Sequence, residues 1–373
     1  MKKKYILTSI ALSLLLSFML LSCNADATAG LFRQISNASA PVGIVYKQIV
    51  GLDTTSTPKV LYFLTDEGLY KKTDGSSSTR LVANAENNII ETAALDGTTT
   101  IAYQVNSNEN EGYKTIKTVT NSGVAGPTYD FSEFDYVQLL PNGLVLVKDG
   151  NTNFYLYDFD VAPTPTLSNI GSPLISINAT TGYNLSSVIQ LSGKEHTSLS
   201  ANPMLISFVN ESGGYKHFYI TGSTAAELNT STSGFRFVSM ALINAKIYLL
   251  TDEGDLYATA TPSASTFDDV HKTNKSYKEN AFMYGYYDSA NSVTKLITKP
   301  AGINDALYEI NIDASGVTAR NVDDGYGKYL DAAEIKDSYE KGAGNLLVAT
   351  LENGMYEIDI AGNTSSDPEE YTL

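Results

Sequence analysis

One phrase, written three times, constrains this chain more than anything else in it. Val60-Leu61-Tyr62-Phe63-Leu64 runs into Thr65-Asp66-Glu67-Gly68 and then Leu69-Tyr70. An apolar run, a short acidic turn closed by Gly and a second apolar run spell a β-hairpin, because Gly supplies the left-handed backbone the return needs. The first run is apolar on both faces, so its strand must be covered on both sides. The phrase returns as Lys246 to Leu250, Thr251-Asp252-Glu253-Gly254 and Asp255-Leu256-Tyr257. It returns again as Leu346 to Thr350, Glu352-Asn353-Gly354 and Met355-Tyr356.

Weaker copies run over 101–116 around Gly112, 144–157 around Gly150, 205–220 around Gly213 and 282–297 around Asn291. The seven turn positions, 68, 112, 150, 213, 254, 291 and 354, are spaced by 44, 38, 63, 41, 37 and 63 residues. Strand-only units at intervals of about 40–50 residues indicate a propeller, in which each small sheet packs face-on between two neighbours. The expected fold is all-β: a single β-propeller of seven blades, with eight as the alternative count. No apolar stripe of helical period persists beyond about two turns. The one helix candidate is 326–342, on its Lys and Glu content. Pro163, Pro165 and Pro173 offer a second organisation, two β-domains over 41–161 and 174–373.

The phrase resembles the hairpin repeat of bacterial sensor and sialidase-like propellers. That resemblance implies a fold and no ligand. Sialidase-type propellers hold their substrate's carboxylate with clustered arginines and carry a box ending in Trp. This chain has only Arg33, Arg80, Arg236 and Arg320, and no Trp.

The N-terminus fixes a second feature. Lys2, Lys3 and Lys4 precede a weakly polar to apolar run from Ile6 to Ser22, and the chain's one cysteine, Cys23, follows. A basic stretch, an apolar stretch and small residues at its end are the marks of a secretory signal. No basic cluster follows that would halt a transmembrane helix, the competing reading. Leu20-Leu21-Ser22-Cys23 resembles the lipobox of bacterial lipoproteins. The resemblance implies lipid on Cys23, cleavage before it, and export to the periplasmic or outer face of the cell or outer membrane. The expected organisation is a signal peptide over 1–22, a lipidated flexible tether over 23–40 and the propeller over 41–373.

With one cysteine, no disulfide can form within the chain. The formal net charge is −16, and losing residues 1–22 removes three lysines and makes it more acidic. Such a surface repels nucleic acid and anionic headgroups, so the expected membrane contact is through lipid on Cys23 alone.

Catalytic signals are sparse. His196, His217 and His271 have no metal-ligand spacing. There is no Gly-x-Ser-x-Gly elbow, phosphate loop or dinucleotide fingerprint. Asp66-Glu67 and Asp252-Glu253 offer oxygen ligands for calcium, but acidic pairs before a hairpin Gly are ordinary turn chemistry. No catalytic residue, metal ligand or cofactor is therefore assigned. The most ligand-like loop is Asp323-Asp324-Gly325-Tyr326-Gly327, and Tyr284, Tyr286 and Tyr287 form an aromatic cluster that serves either ligand binding or core packing.

The expected function is a lipid-anchored, non-catalytic binding or scaffolding propeller with a protein or glycan partner at the cell envelope. The rival is an envelope glycan-processing enzyme, a hydrolase or lyase, using Asp323 or Asp324 with a tyrosine. The anchor is directly testable. Cys23→Ser is expected to move the protein from membrane to soluble fractions, since stable attachment rests on its acyl chains. Persistence of the variant on salt-washed membranes would sink the lipoprotein reading.

Overall fold

The computed structural model describes residues 45–53, 55–85, 88–96, 99–106, 114–150, 153–158, 175–178, 181–191, 202–228, 234–260, 267–302, 305–322, 334–351, 354–361 and 369–370. They form seven four-stranded antiparallel sheets in chain order, over 46–83, 89–130, 136–178, 183–227, 237–272, 283–321 and 335–370. These are blades 1 to 7 of one propeller. In every blade the first strand is innermost and the fourth outermost. No helix occurs among the described residues.

The apolar residues sort into seven buried clusters, one for each junction between neighbouring blades. In the second strand of blade 1 (Val60–Thr65), Leu61 and Phe63 turn toward blade 7 and pack on Tyr339, Leu347, Ala349 and Met355. Tyr62 and Leu64 turn toward blade 2 and meet Ile90, Ala93, Ile101 and Val119. Side chains alternate across a strand, and here both faces are interfaces. That is why the run is apolar throughout. The same arrangement recurs between blades 3 and 4, where Phe154 meets Phe208 edge-on at 4.9 Å. Removing one such fully buried Leu side chain would cost about 2–5 kcal/mol.

Three expectations need correction. The prolines do not separate two domains: the fourth strand of blade 3 (Ile175–Asn178) lies beyond them and pairs with its third strand (Asn153–Asp158). The insertion belongs inside one blade. The copy around Asn291 joins the first and second strands of blade 6 (Met283–Asp288 and Val293–Thr298), whereas the other copies join second to third. Finally, residues 335–342 of the helix candidate form the innermost strand of blade 7 (Ile335–Gly342), and 326–333 lie outside the described residues. Pairing with Asn345–Thr350 overrides the local Lys and Glu preference.

The repeated turn has a second determinant besides its glycine. Thr65, Thr251 and Thr350, each ending a second strand, are buried at 0–2% exposure. The Thr65 and Thr350 hydroxyls donate to the carbonyls of Gly68 (3.3 Å) and Gly354 (2.6 Å), while Thr251 Oγ1 accepts from Asp255 N at 2.9 Å. The acidic residues serve the turn as well. Asp66 Oδ1 accepts from Val45 N at 3.3 Å, and Glu67 accepts from the Tyr70 hydroxyl at 2.7 Å.

Gly68, Gly254 and Gly354 have φ of +141°, +89° and +91°. Their surroundings differ. A Cβ at Gly68 would run into Val82 O, and one at Gly254 into Lys275 O, whereas one at Gly354 meets open space. Gly354→Ala should therefore cost about 1–2 kcal/mol, the strain of the backbone alone. Gly68→Ala and Gly254→Ala should cost more, because backbone must move as well. Chemical unfolding of the three variants checks the order, and equal losses would mean that the carbonyl contacts carry no weight.

Candidate binding site at the centre of the ring

Each blade presents its innermost strand to the centre as an edge, with backbone groups that need partners from elsewhere. Five of these strands carry an extra residue opposite the second strand at Lys47, Glu91, Ser186, Val238 and Lys336, in blades 1, 2, 4, 5 and 7, and those of blades 1 and 7 carry another further on, at Val50 and Lys341. Such a bulge bends the strand and re-aims the extra side chain. In blades 1, 5 and 7 the first bulge falls in the same register, beside the residue paired with Thr65, Thr251 or Thr350.

The residue after the first bulge of each of these five strands is polar: Gln48, Thr92, Ser187, Ser239 and Asp337. Two of these reach the next blade in equivalent fashion. Asp337 Oδ2 accepts from Ile49 N of blade 1 at 2.8 Å, clasping the last blade to the first. Gln48 accepts from Ala93 N of blade 2 at 3.0 Å and donates to Ala93 O at 2.7 Å. Gln104, on the second strand of blade 2 and paired with Thr92, continues the chain of contacts. It accepts from Leu139 N at 2.7 Å and donates to Val137 O at 3.0 Å in blade 3. A polar collar thus ties blades 7, 1, 2 and 3. Serine is too short to extend it, and Ser187 Oγ is buried without a hydrogen-bond partner among the described residues.

Inside the collar lies a cavity of about 400 Å³ lined from blades 1 to 5 and 7, and by Asn280 and Ala281 on the segment leading into blade 6. Its wall is uneven. Lys336, Asp337, Lys47 and Glu91 bring charge from blades 7, 1 and 2, whereas Leu140, Val188, Leu191 and Val238 make an apolar wall from blades 3, 4 and 5. Both carboxylates already have partners: Asp337 also accepts from Ser338 N at 2.8 Å, and Glu91 accepts from Asn106 Nδ2 at 2.6 Å. Burial pushes the Asp337 carboxyl up to about 7, against the opposing pull of the Ile49 and Ser338 amides. The described arginines sit elsewhere. Arg80 is on an outermost strand, Arg236 pairs with Glu279, and Arg320 pairs with Glu309.

Of the residues singled out from sequence, Cys23, Asp323, Asp324 and Tyr326 lie outside the described residues. Tyr284 and Tyr286 are not loop-tip residues but stand on the innermost strand of blade 6 and pack against blade 7. Tyr284 is 3% exposed, and its hydroxyl accepts from Gly344 N at 3.2 Å. Tyr287 is 36% exposed. His217 hydrogen-bonds Ser207 Oγ at 2.7 Å, a pairing that resembles a nucleophile and its base. Its geometry is structural: both residues are 1% exposed, and the other ring nitrogen bonds Phe235 O at 3.0 Å. A carbonyl only accepts, so Nε2 carries a proton, and in neutral imidazole Nδ1 then accepts from the serine. Among the described residues no group of three His, Cys, Asp or Glu side chains is placed to hold a metal ion.

Sequence reading missed Gln48, Gln104 and Asp337. For Gln48 and Gln104 a lone amide inside a largely apolar strand was the available signal, whereas Asp337 sits in a strand rich in charge and gave none. The collar makes a pH-dependent prediction. The folded Asp337 carboxyl keeps its proton up to about pH 7 and the unfolded one only to about 3.8. Between these values folding takes up a proton, so this residue's contribution declines as pH rises. Asp337→Asn should flatten that part of the stability profile in urea unfolding, and an unchanged slope would refute the shift. Gln48→Ala should cost about 1–3 kcal/mol by orphaning the Ala93 amide, while Ser187→Ala should be close to neutral.

No protein-family model and no curated protein matches the chain. Solved structures do. YCF48 from Cyanidioschyzon merolae aligns at a TM-score of 0.51 and 12% identity, over 85% of this chain and 96% of its own. KlAtg21, solved in complex with the coiled-coil of AgAtg16, aligns at 0.51 and 9% identity, over 88% of this chain and 98% of that one. At such identities the likeness is one of fold, and with the blade count it makes this chain a seven-bladed β-propeller.

Proposed function

We propose that the chain is a lipid-anchored, non-catalytic propeller that binds or scaffolds a protein partner in the cell envelope. The observation that carries the non-catalytic part is the commitment of Asp337. Both its oxygens are bonded, to Ile49 N and Ser338 N, which leaves Glu91 without a second available carboxylate among the described lining residues. A general acid or base needs an oxygen free to meet substrate, and no described arginine stands beside them to bind an anionic sugar. A rigid ring with its chemistry turned to its own closure is suited to presenting loops. The complex of KlAtg21 with a coiled coil is a precedent, on this fold, for a protein partner. The anchor rests on the lipobox-like segment ending at Cys23.

Cross-linking in intact cells followed by affinity capture tests the reading. A specific protein should co-purify in near-stoichiometric amount with the wild type, and its yield should fall with Cys23→Ser as the propeller leaves the membrane. The glycan-processing alternative draws on Glu91 and Asp337 sharing one cavity. Turnover of envelope glycans by the purified protein, abolished by Glu91→Gln, would replace the scaffold with the enzyme.

A further inference from the structure

We propose that the central cavity binds a small carboxylic acid, with its carboxylate between Lys47 and Lys336 and its carbon skeleton against the wall formed by blades 3 to 5. The cavity's roughly 400 Å³ falls in the size range of small-molecule sites. The two lysines reach it by the same device, a bulge in each of two adjacent inner strands. Asp337 bonds across that junction to Ile49 N, which puts both bulges at one level of the ring. Recurrence of the bulge in five blades, with Lys, Lys and Glu on three consecutive ones, concentrates charge on a single arc.

Neither lysine forms a salt bridge with a carboxylate among the described residues. That is notable in a chain whose acids outnumber its bases 41 to 25. Lys275, by contrast, pairs with Asp305 at 2.8 Å and Lys341 with Glu357 at 2.7 Å. Lys47 is half-buried and Lys336 exposed, and two positive charges converging on one cavity mouth reinforce each other in attracting an anion. A separate observation points the same way. Ser338 lines this cavity, is 4% exposed, and its covered Oγ has no hydrogen-bond partner among the described residues. Rotation of its side chain would offer this hydroxyl to a bound carboxylate.

The class of anion follows from what surrounds the lysines. Glu91 offsets part of their charge, which favours a monoanion over a phosphate dianion. No described arginine lines the cavity to grip phosphate in bidentate fashion. On the side of blades 3 to 5 the half-buried Val188 offers apolar surface, Leu140, Leu191 and Val238 being 1–9% exposed, and Gln138 and Gln190 offer amides for a polar substituent. The site is independent of the protein partner proposed above.

Titration calorimetry of the full-length, detergent-solubilised protein tests it with propionate, hexanoate and benzoate. Benzyl alcohol, benzylamine and inorganic phosphate serve as uncharged, cationic and dianionic comparisons. At least one monocarboxylate should bind saturably with one site per chain, and the three comparison compounds should bind more weakly or not at all. Lys47→Gln and Lys336→Gln should each weaken binding at least about tenfold, with melting temperatures near wild type. Lys246→Gln, on the second strand of blade 5 (Lys246–Thr251), should leave affinity unchanged. The proposal fails if no monocarboxylate saturates below about 10 mM, if the double lysine variant binds as well as wild type, or if phosphate binds most tightly. Loss of acid binding in variants that still capture the partner from cells would confirm that the two sites are separate.

Discussion

Seven sheets that meet at a centre expose seven strand edges to one another, and the pairing of those edges is the constraint on which this propeller rests. A blade can bury both faces against its neighbours with ordinary apolar side chains. Its innermost strand still carries amides and carbonyls that point away from its own sheet. Gln48, Gln104 and Asp337 answer three of these edges with side chains from the preceding blade. The arrangement is directional: each clasp runs from one blade to the next in chain order, and Asp337 carries it across the junction between the last blade and the first. Hydrophobic burial holds the blades together, and the clasps set the height at which neighbouring strands stand.

Ring closure follows from the same logic. All four strands of each blade come from one contiguous stretch, so no strand is shared between the start and end of the propeller. The junction of blades 7 and 1 is therefore of the same kind as the other six. It has an apolar cluster of Tyr46, Ile49, Leu61, Phe63, Tyr339 and Leu347, and one carboxylate bonded to a backbone amide. Asp337 and Ile49 are 288 residues apart in sequence. Closing so long a loop has an entropic cost that grows only slowly with length, and a full interblade cluster is available to offset it.

The fold was largely legible in the sequence because the propeller writes its rule locally. Leu61 to Leu64, apolar at every position, can only be a strand covered on both faces, and Gly68, Gly254 and Gly354 mark the returns. The long gap after Gly150 was equally legible as an insertion, although the prolines there invited a domain boundary where the structure has the edge of a blade. The centre was less accessible. A bulge leaves no periodic trace, since one extra residue among seven or eight reads as noise in an alternating pattern. Asp337 looked like part of a charged helical stretch because its partner, Ile49, is not nearby in sequence. The tyrosines of blade 6 show a different limit: the sequence offered both ligand binding and core packing for Tyr284, and only the fold shows that its hydroxyl bonds Gly344 N between two blades.

The collar is incomplete, and its gap has a mechanical meaning. From blade 7 through blade 3 the inner strands are riveted side chain to backbone. At blades 4 and 5 the corresponding positions are Ser187 and Ser239, and the tie between these blades lies further out, where His217 holds Phe235 O. Among the described residues, no clasp equivalent to those of Asp337 and Gln48 extends from Ser187 or Ser239. A force that widened the central cavity would therefore break fewer directional bonds at blades 4 and 5 than along the lysine-bearing arc.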